Sequence, residues 1–166
     1  MRILIFTEGT ILMHNSAAGL SRKEIVKQSR DGNDPSLSDW ENYIPIGESA
    51  SKLRTWKAKG AKIEYLTSRT SKREVSAIQS VLRKYWFPEG QLLFREAGDA
   101  YKDVAERSLP DILIEDDCES IGGKKEMTYT CIRPELQEKV KLIAVKEFGG
   151  IDHLPDELSQ LELHNL

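Results

Sequence analysis

Four short apolar runs, spaced so that helices fit between them, constrain the fold more than any other feature of this chain. "RILIF" (2–6), "KIEYL" (62–66), "LLFR" (92–95) and "DILIE" (111–115) each read as a buried strand. "MTYT" (127–130) is a further strand candidate on β-propensity alone. "KLIAV" (141–145) fits either another strand or a helix continued from Pro134. Amphipathic helices fill the gaps. Gly47 to Lys59 sets Ala50, Leu53 and Trp56 on one side, and Gly60 supplies the stop. Ser71-Lys72-Arg73-Glu74 is a capping box, after which Val75, Ile78, Leu82 and Tyr85 share a face. Tyr101 to Ser108 is a short helix halted before Leu109-Pro110. Such alternation predicts an α/β fold with a mainly parallel sheet covered on both faces. Ligands of such sheets bind at the carboxyl ends of the strands.

The stretch from Met13 to Tyr43 breaks the alternation. It holds two capping-box patterns, Ser21-Arg22-Lys23-Glu24 and Ser38-Asp39-Trp40-Glu41, around the turn-rich "SRDGNDPS". Two short helices inserted after the first strand are expected. They form either a surface elaboration or a lid over the strand ends. Trp40 and Tyr43 accordingly face a ligand or make the insertion's own core.

Bulk properties narrow the class. A chain of 166 residues fits a single domain, 1–166, with the insertion at about 13–43. A formal charge of −3, with Lys and Arg scattered among Asp and Glu, gives no reason to expect nucleic acid or an anionic membrane as partner. Cys118 and Cys131 form no CxxC pair, which suggests reduced thiols in a cytoplasm. Nothing at the N-terminus reads as a signal peptide, and no stretch approaches the roughly 18 apolar residues of a membrane span. A GxxxxGK[ST] phosphate loop is absent, as is GxGxxG after the first strand, so no organic cofactor is expected. His14, His153 and His164 lack zinc-ligand spacing; His14, just beyond the first loop, either enters the cleft or, as a lone His near a turn more often is, is solvated.

The strand ends collect the chemistry. Thr7, Glu8, Gly9 and Thr10 follow the first strand, and Thr67, Ser68 and Arg69 the second. Arg95 and Glu96 follow the third, with Lys102 opening the next helix. The acidic run Glu115-Asp116-Asp117 follows the fourth. Hydroxyls and a lysine suit a phosphate, and clustered carboxylates suit a hard cation such as magnesium.

In this order the residues resemble the haloacid dehalogenase-like superfamily of mostly magnesium-dependent phosphohydrolases. Thr7-Glu8-Gly9-Thr10 is similar to the tail of its first motif, Asp-x-Asp-Gly-Thr. Thr67 in "IEYLTSR" resembles the second motif, Lys102 in "YKDVAERSLPD" the third, and "ILIEDD" the acidic fourth. The likeness runs from about Arg2 to Gly123. It implies a Rossmannoid three-layer sandwich with a small helical cap after strand one. It further implies phosphate binding by Thr67, Ser68 and Lys102, acid-base work by Glu8, and metal ligation within Glu115, Asp116 and Asp117. The acidic pair is Glu115-Asp116 or Asp116-Asp117.

One departure stands out. The family's attacking and metal-ligating Asp corresponds to Phe6, whose ring can neither attack nor ligate. Magnesium is therefore expected to bind weakly. Three readings follow. The first is a domain without phosphoaspartyl chemistry that binds a small phosphorylated ligand or a metal. The second is an active magnesium-dependent phosphohydrolase in which Glu8 activates water. The third is an interaction protein with an idle cleft. Loss of the nucleophile beside kept donors favours the first.

Overall fold

The run at residues 2–6 forms β1 (Arg2–Phe6), the central strand of a parallel sheet in a computed structural model that describes residues 1–164. A tight loop leads to β2 (Leu12–Met13), which pairs antiparallel with β3 (Ile44–Pro45). Between them lie α1 (Arg22–Asp31) and 3-10 turns at Asn15–Ala17, Pro35–Ser38 and Trp40–Asn42. Then follow α2 (Ser49–Ala58), β4 (Lys62–Leu66), α3 (Lys72–Lys84), β5 (Gln91–Leu93), α4 (Tyr101–Ser108) and β6 (Ile112–Asp116). Two short helices, α5 (Thr128–Cys131) and α6 (Pro134–Gln137), precede β7 (Lys141–Val145) and α7 (Leu158–Leu163).

Strand order is β5-β4-β1-β6-β7, with every pair parallel. The chain winds outward from β1 through β4 to β5, then crosses back to β6. That reversal places a topological switch point at the carboxyl ends of β1 and β6, where open α/β sheets bind ligands.

Period-2 alternation sorts the strand residues between two cores. Ile3, Ile5, Ile63, Tyr65, Ile112 and Ile114 face α2, α3 and α7. Leu4, Leu66 and Leu113 face Val104 and Ala105 of α4, with Ile132 and Val140. Phe6 belongs to this second face. Trp56 is fully buried on the first and donates its indole N–H to the Pro155 carbonyl at 2.9 Å. Trp56→Ala would cost about 3–5 kcal/mol through the cavity and the stranded carbonyl. Gly60, at φ +95°, closes α2 as expected.

Several expectations need correction. "MTYT" is no strand: Met127 is the N-cap of α5, and Thr128 and Tyr129 give their N–H groups to the Glu115 carboxylate, each at 2.8 Å. A cap supplied by a distant strand outweighs local propensity. "KLIAV" is a strand, separate from the helix at Pro134. The Ser21 capping box forms, whereas the Ser38 pattern does not. Asp34 caps an earlier turn instead by accepting the Ser36 N–H at 2.8 Å. Asp39 (φ −94°, ψ 64°) then interrupts the path, so the insertion holds one α-helix and 3-10 turns. No helix among the described residues is long and apolar enough to cross a membrane.

Candidate functional site

The loop after β1 is folded back tightly. Ile11 and Leu12 both donate N–H to the Thr7 carbonyl at 2.9 Å, and Gly9 donates to that of Leu12 at 2.9 Å. Gly9 sits at φ +83°, and a Cβ there would lie 2.8 Å from Asp116 Oδ2. Both the conformation and the space demand glycine.

This fold-back turns Glu8 toward the end of β4. Its Oε1 accepts the Thr67 hydroxyl at 2.6 Å, with Arg69 Nε at 3.5 Å. Its Oε2 accepts the Thr7 hydroxyl at 2.5 Å and the Ser68 N–H at 3.1 Å. The side chain is only 14% exposed. A hydroxyl, a backbone N–H and a guanidinium converge as in an anion cradle, and the anion within it is the protein's own carboxylate. Arg69 also donates to Ser68 Oγ at 2.7 Å and lies 3.9 Å over the Trp40 ring.

The acidic run diverges, because neighbouring strand residues point to opposite faces. Asp116 turns to the β1 loop, accepting the Thr10 hydroxyl at 2.9 Å and the Cys118 N–H at 3.0 Å. Burial pushes its carboxyl up to about 6. Glu115 turns the other way to cap α5, and burial raises it to about 7 against the pull of those N–H groups. Asp117 takes Lys146 Nζ at 3.0 Å and the Glu147 N–H at 3.1 Å, outside the cleft lining.

Magnesium requires several oxygens free to converge on one point. Phe6 supplies none, and the oxygens of Asp116, Glu115 and Asp117 are already engaged by different donors. No group of three His, Cys, Asp or Glu among the described residues is placed to hold a metal ion. The donor set does not fit the cation that the sequence resemblance implied.

Lys102 corrects a second expectation. Its Nζ lies 3.0 Å from Asp103 of its own helix, and the residue does not line the cleft. It pairs along its own helix and does not join Glu8 and Asp116 at the cleft. Among the described residues, Arg69 is the Lys or Arg that lines the cleft.

The cleft has a volume of about 410 Å³. The insertion overlies it: His14, Leu37, Trp40 and Tyr43 line one side. Trp40 and Tyr43 therefore do both tasks, packing on the core and facing the cavity. His14 is buried rather than solvated, with Nε2 at 2.7 Å from Gln28 Oε1 and its ring edge-on to Phe148.

Tyr101, Glu147 and Phe148 are among the lining residues that the sequence does not single out as site residues. Tyr101 meets Phe6 edge to face, centroids 5.4 Å apart. Glu147 accepts the Ser120 N–H and hydroxyl, and burial raises its carboxyl. "KEFGG" after "KLIAV" repeats the signal of the β1 loop, an apolar run ending in polar residues and glycine, and reading 141–145 firmly as a strand would have exposed it.

No family model matches the sequence, and no curated protein matches it. Solved structures do share the fold. The class C acid phosphatase of Bacillus anthracis aligns with TM-score 0.57 at 17% identity, over 99% of this chain and 78% of that one. Its tungstate-bound structure gives 0.56 at 17%, over 90% and 68%. A chain of the Pnkp1/Rnl/Hen1 RNA repair complex gives 0.55 at 16%, over 88% of this chain and 43% of that one, so this chain spans under half its length. The fold is that of the haloacid dehalogenase-like phosphatases. In this haloacid dehalogenase-like fold, Phe6 ends the central strand and Glu8 sits two residues beyond it, at the switch point.

Proposed function

We propose that this chain is a non-hydrolytic binding domain on a haloacid dehalogenase-like fold, and that its cleft takes a small phosphorylated organic ligand. One observation carries the first half. The Thr67 hydroxyl, the Ser68 N–H and Arg69 hold the Glu8 carboxylate, so the protein fills its own cradle. Phe6, at the position that the resemblance gives to the attacking Asp, is apolar and packed on Tyr101. The ligand's organic part lies against Trp40, Tyr43 and Phe148, and its phosphate meets Arg69. The free thiols Cys118 and Cys131 agree with a reducing, cytoplasmic setting.

The rival reading, an active phosphohydrolase, needs Glu8 within reach of a water proton and free to take it. Both its oxygens are engaged, which favours binding over turnover. Titration with phenyl phosphate, followed by amide chemical shifts, tests the proposal. Saturable shifts at Ser68, Arg69 and Trp40 with the ester intact are expected. Conversion to phenol would support the hydrolase, and absence of shifts the idle cleft.

A further inference from the structure

Two arginines stack on aromatic rings of the cleft lining; Arg69 lines the cleft itself, and Arg95 lies behind the Tyr101 ring. Arg69 lies over Trp40, and the Arg95 guanidinium carbon sits 4.1 Å from the centroid of Tyr101. Their surroundings differ. Arg69 is engaged by Glu8 and Ser68. Arg95 makes no hydrogen bond or ion pair with any described residue, and its Nε is buried without a partner. Arg73 and Arg83 also lack partners among the described residues, but they are exposed to water, whereas Arg95 is half-buried. A half-buried guanidinium whose Nε–H is buried and unmet is suited to an anion.

The backbone puts Arg95 on the ligand-binding edge. The Leu93 carbonyl accepts the Thr67 N–H at 3.0 Å, so the chain leaves β5 level with the end of β4, and Arg95 follows two residues later. The Tyr101 phenol, raised chiefly by burial, also lies in the opposing fields of Arg95, Glu8 and Arg69.

We propose that Arg95 and Arg69 form a two-arginine site for a phosphate monoester on the Tyr101 side of the cleft, beside the cradle that Glu8 occupies and sharing Arg69 with it. Two planar guanidiniums offer paired N–H donors suited to phosphate oxygens. The inference rests on the binding-domain reading and names the residues that would hold its ligand.

Phenyl phosphate and phenol are titrated into wild type, Arg95→Gln and Arg95→Lys, with thermal melts confirming folding. Arg95→Gln is expected to weaken phenyl phosphate binding about tenfold and leave phenol binding unchanged, with Arg95→Lys between the two. Inorganic phosphate, added alone, shows whether the site needs the organic group. It is expected to shift the Arg95 Nε–Hε resonance in wild type, and a resonance that stays still counts against the site. Equal phenyl phosphate affinity in wild type and Arg95→Gln overturns the inference and leaves the binding domain standing. No phenyl phosphate binding by wild type overturns both. Should Arg95→Gln fail to fold, the wild-type Nε–Hε resonance decides: a shift on adding phenyl phosphate supports the site, and none overturns it.

Discussion

The Thr67 hydroxyl donates to Glu8 Oε1 at 2.6 Å, joining the carboxyl ends of β4 and β1 through a charged acceptor. Thr67 is fully buried, so removal of Glu8 would strand its hydroxyl. Glu8→Ala is expected to lower stability by about 1–3 kcal/mol, since three donors lose their acceptor. It also vacates the cradle. Added inorganic phosphate should then raise the melting temperature of the variant more than that of wild type. Equal responses in a thermal-shift series would show that the cradle does not take an external anion.

Gly9 and Asp116 define the second prediction. Gly9→Ala meets both a positive φ and a 2.8 Å approach to Asp116 Oδ2. A loss of about 1–3 kcal/mol is expected in urea unfolding. A change under about 0.5 kcal/mol would mean that the loop relaxes freely.

Asp116 should make stability depend on pH in a definite direction. Its carboxyl rises from 3.8 to about 6 on folding, so the folded state holds the proton more tightly. Stability from this group is fully present below about pH 3.8 and lost as pH climbs through about 6. Asp116→Asn removes that titration. The stability of the Asn variant relative to wild type should therefore grow between about pH 4 and 7, measured by urea unfolding across that range. A flat difference would show that burial does not shift Asp116.

Trp40 links the insertion to Arg69. Trp40→Ala removes the surface on which the guanidinium stacks, an interaction of about 0.5–2 kcal/mol, and opens one wall of the cleft. Faster dissociation of phenyl phosphate is expected, with little change in the sheet's amide exchange. Unchanged dissociation would mark the insertion as surface elaboration.

The sheet was legible because its strands are buried on both sides and read as continuous apolar runs, as in Ile3, Leu4 and Ile5. The site was legible only as a set of strand ends. Sequence order puts Lys102 and Arg95 equally near the edge, yet side-chain direction decides which one meets an aromatic wall. The order of the acidic run does not show that alternation along β6 sends Asp116 to the β1 loop and Glu115 to α5. The cap that Glu115 provides to α5 joins residues 13 and 14 positions apart, beyond any local signal.

Phosphate release from phenyl phosphate with magnesium, compared across wild type, Phe6→Asp and Glu8→Gln, tests the central claim that this cleft binds without hydrolysing. Wild type and Glu8→Gln should both stay at the buffer rate, and any release should appear only in Phe6→Asp, where an oxygen nucleophile replaces the ring. Robust wild-type turnover that disappears in Glu8→Gln would contradict the account and make Glu8 the base of a working hydrolase.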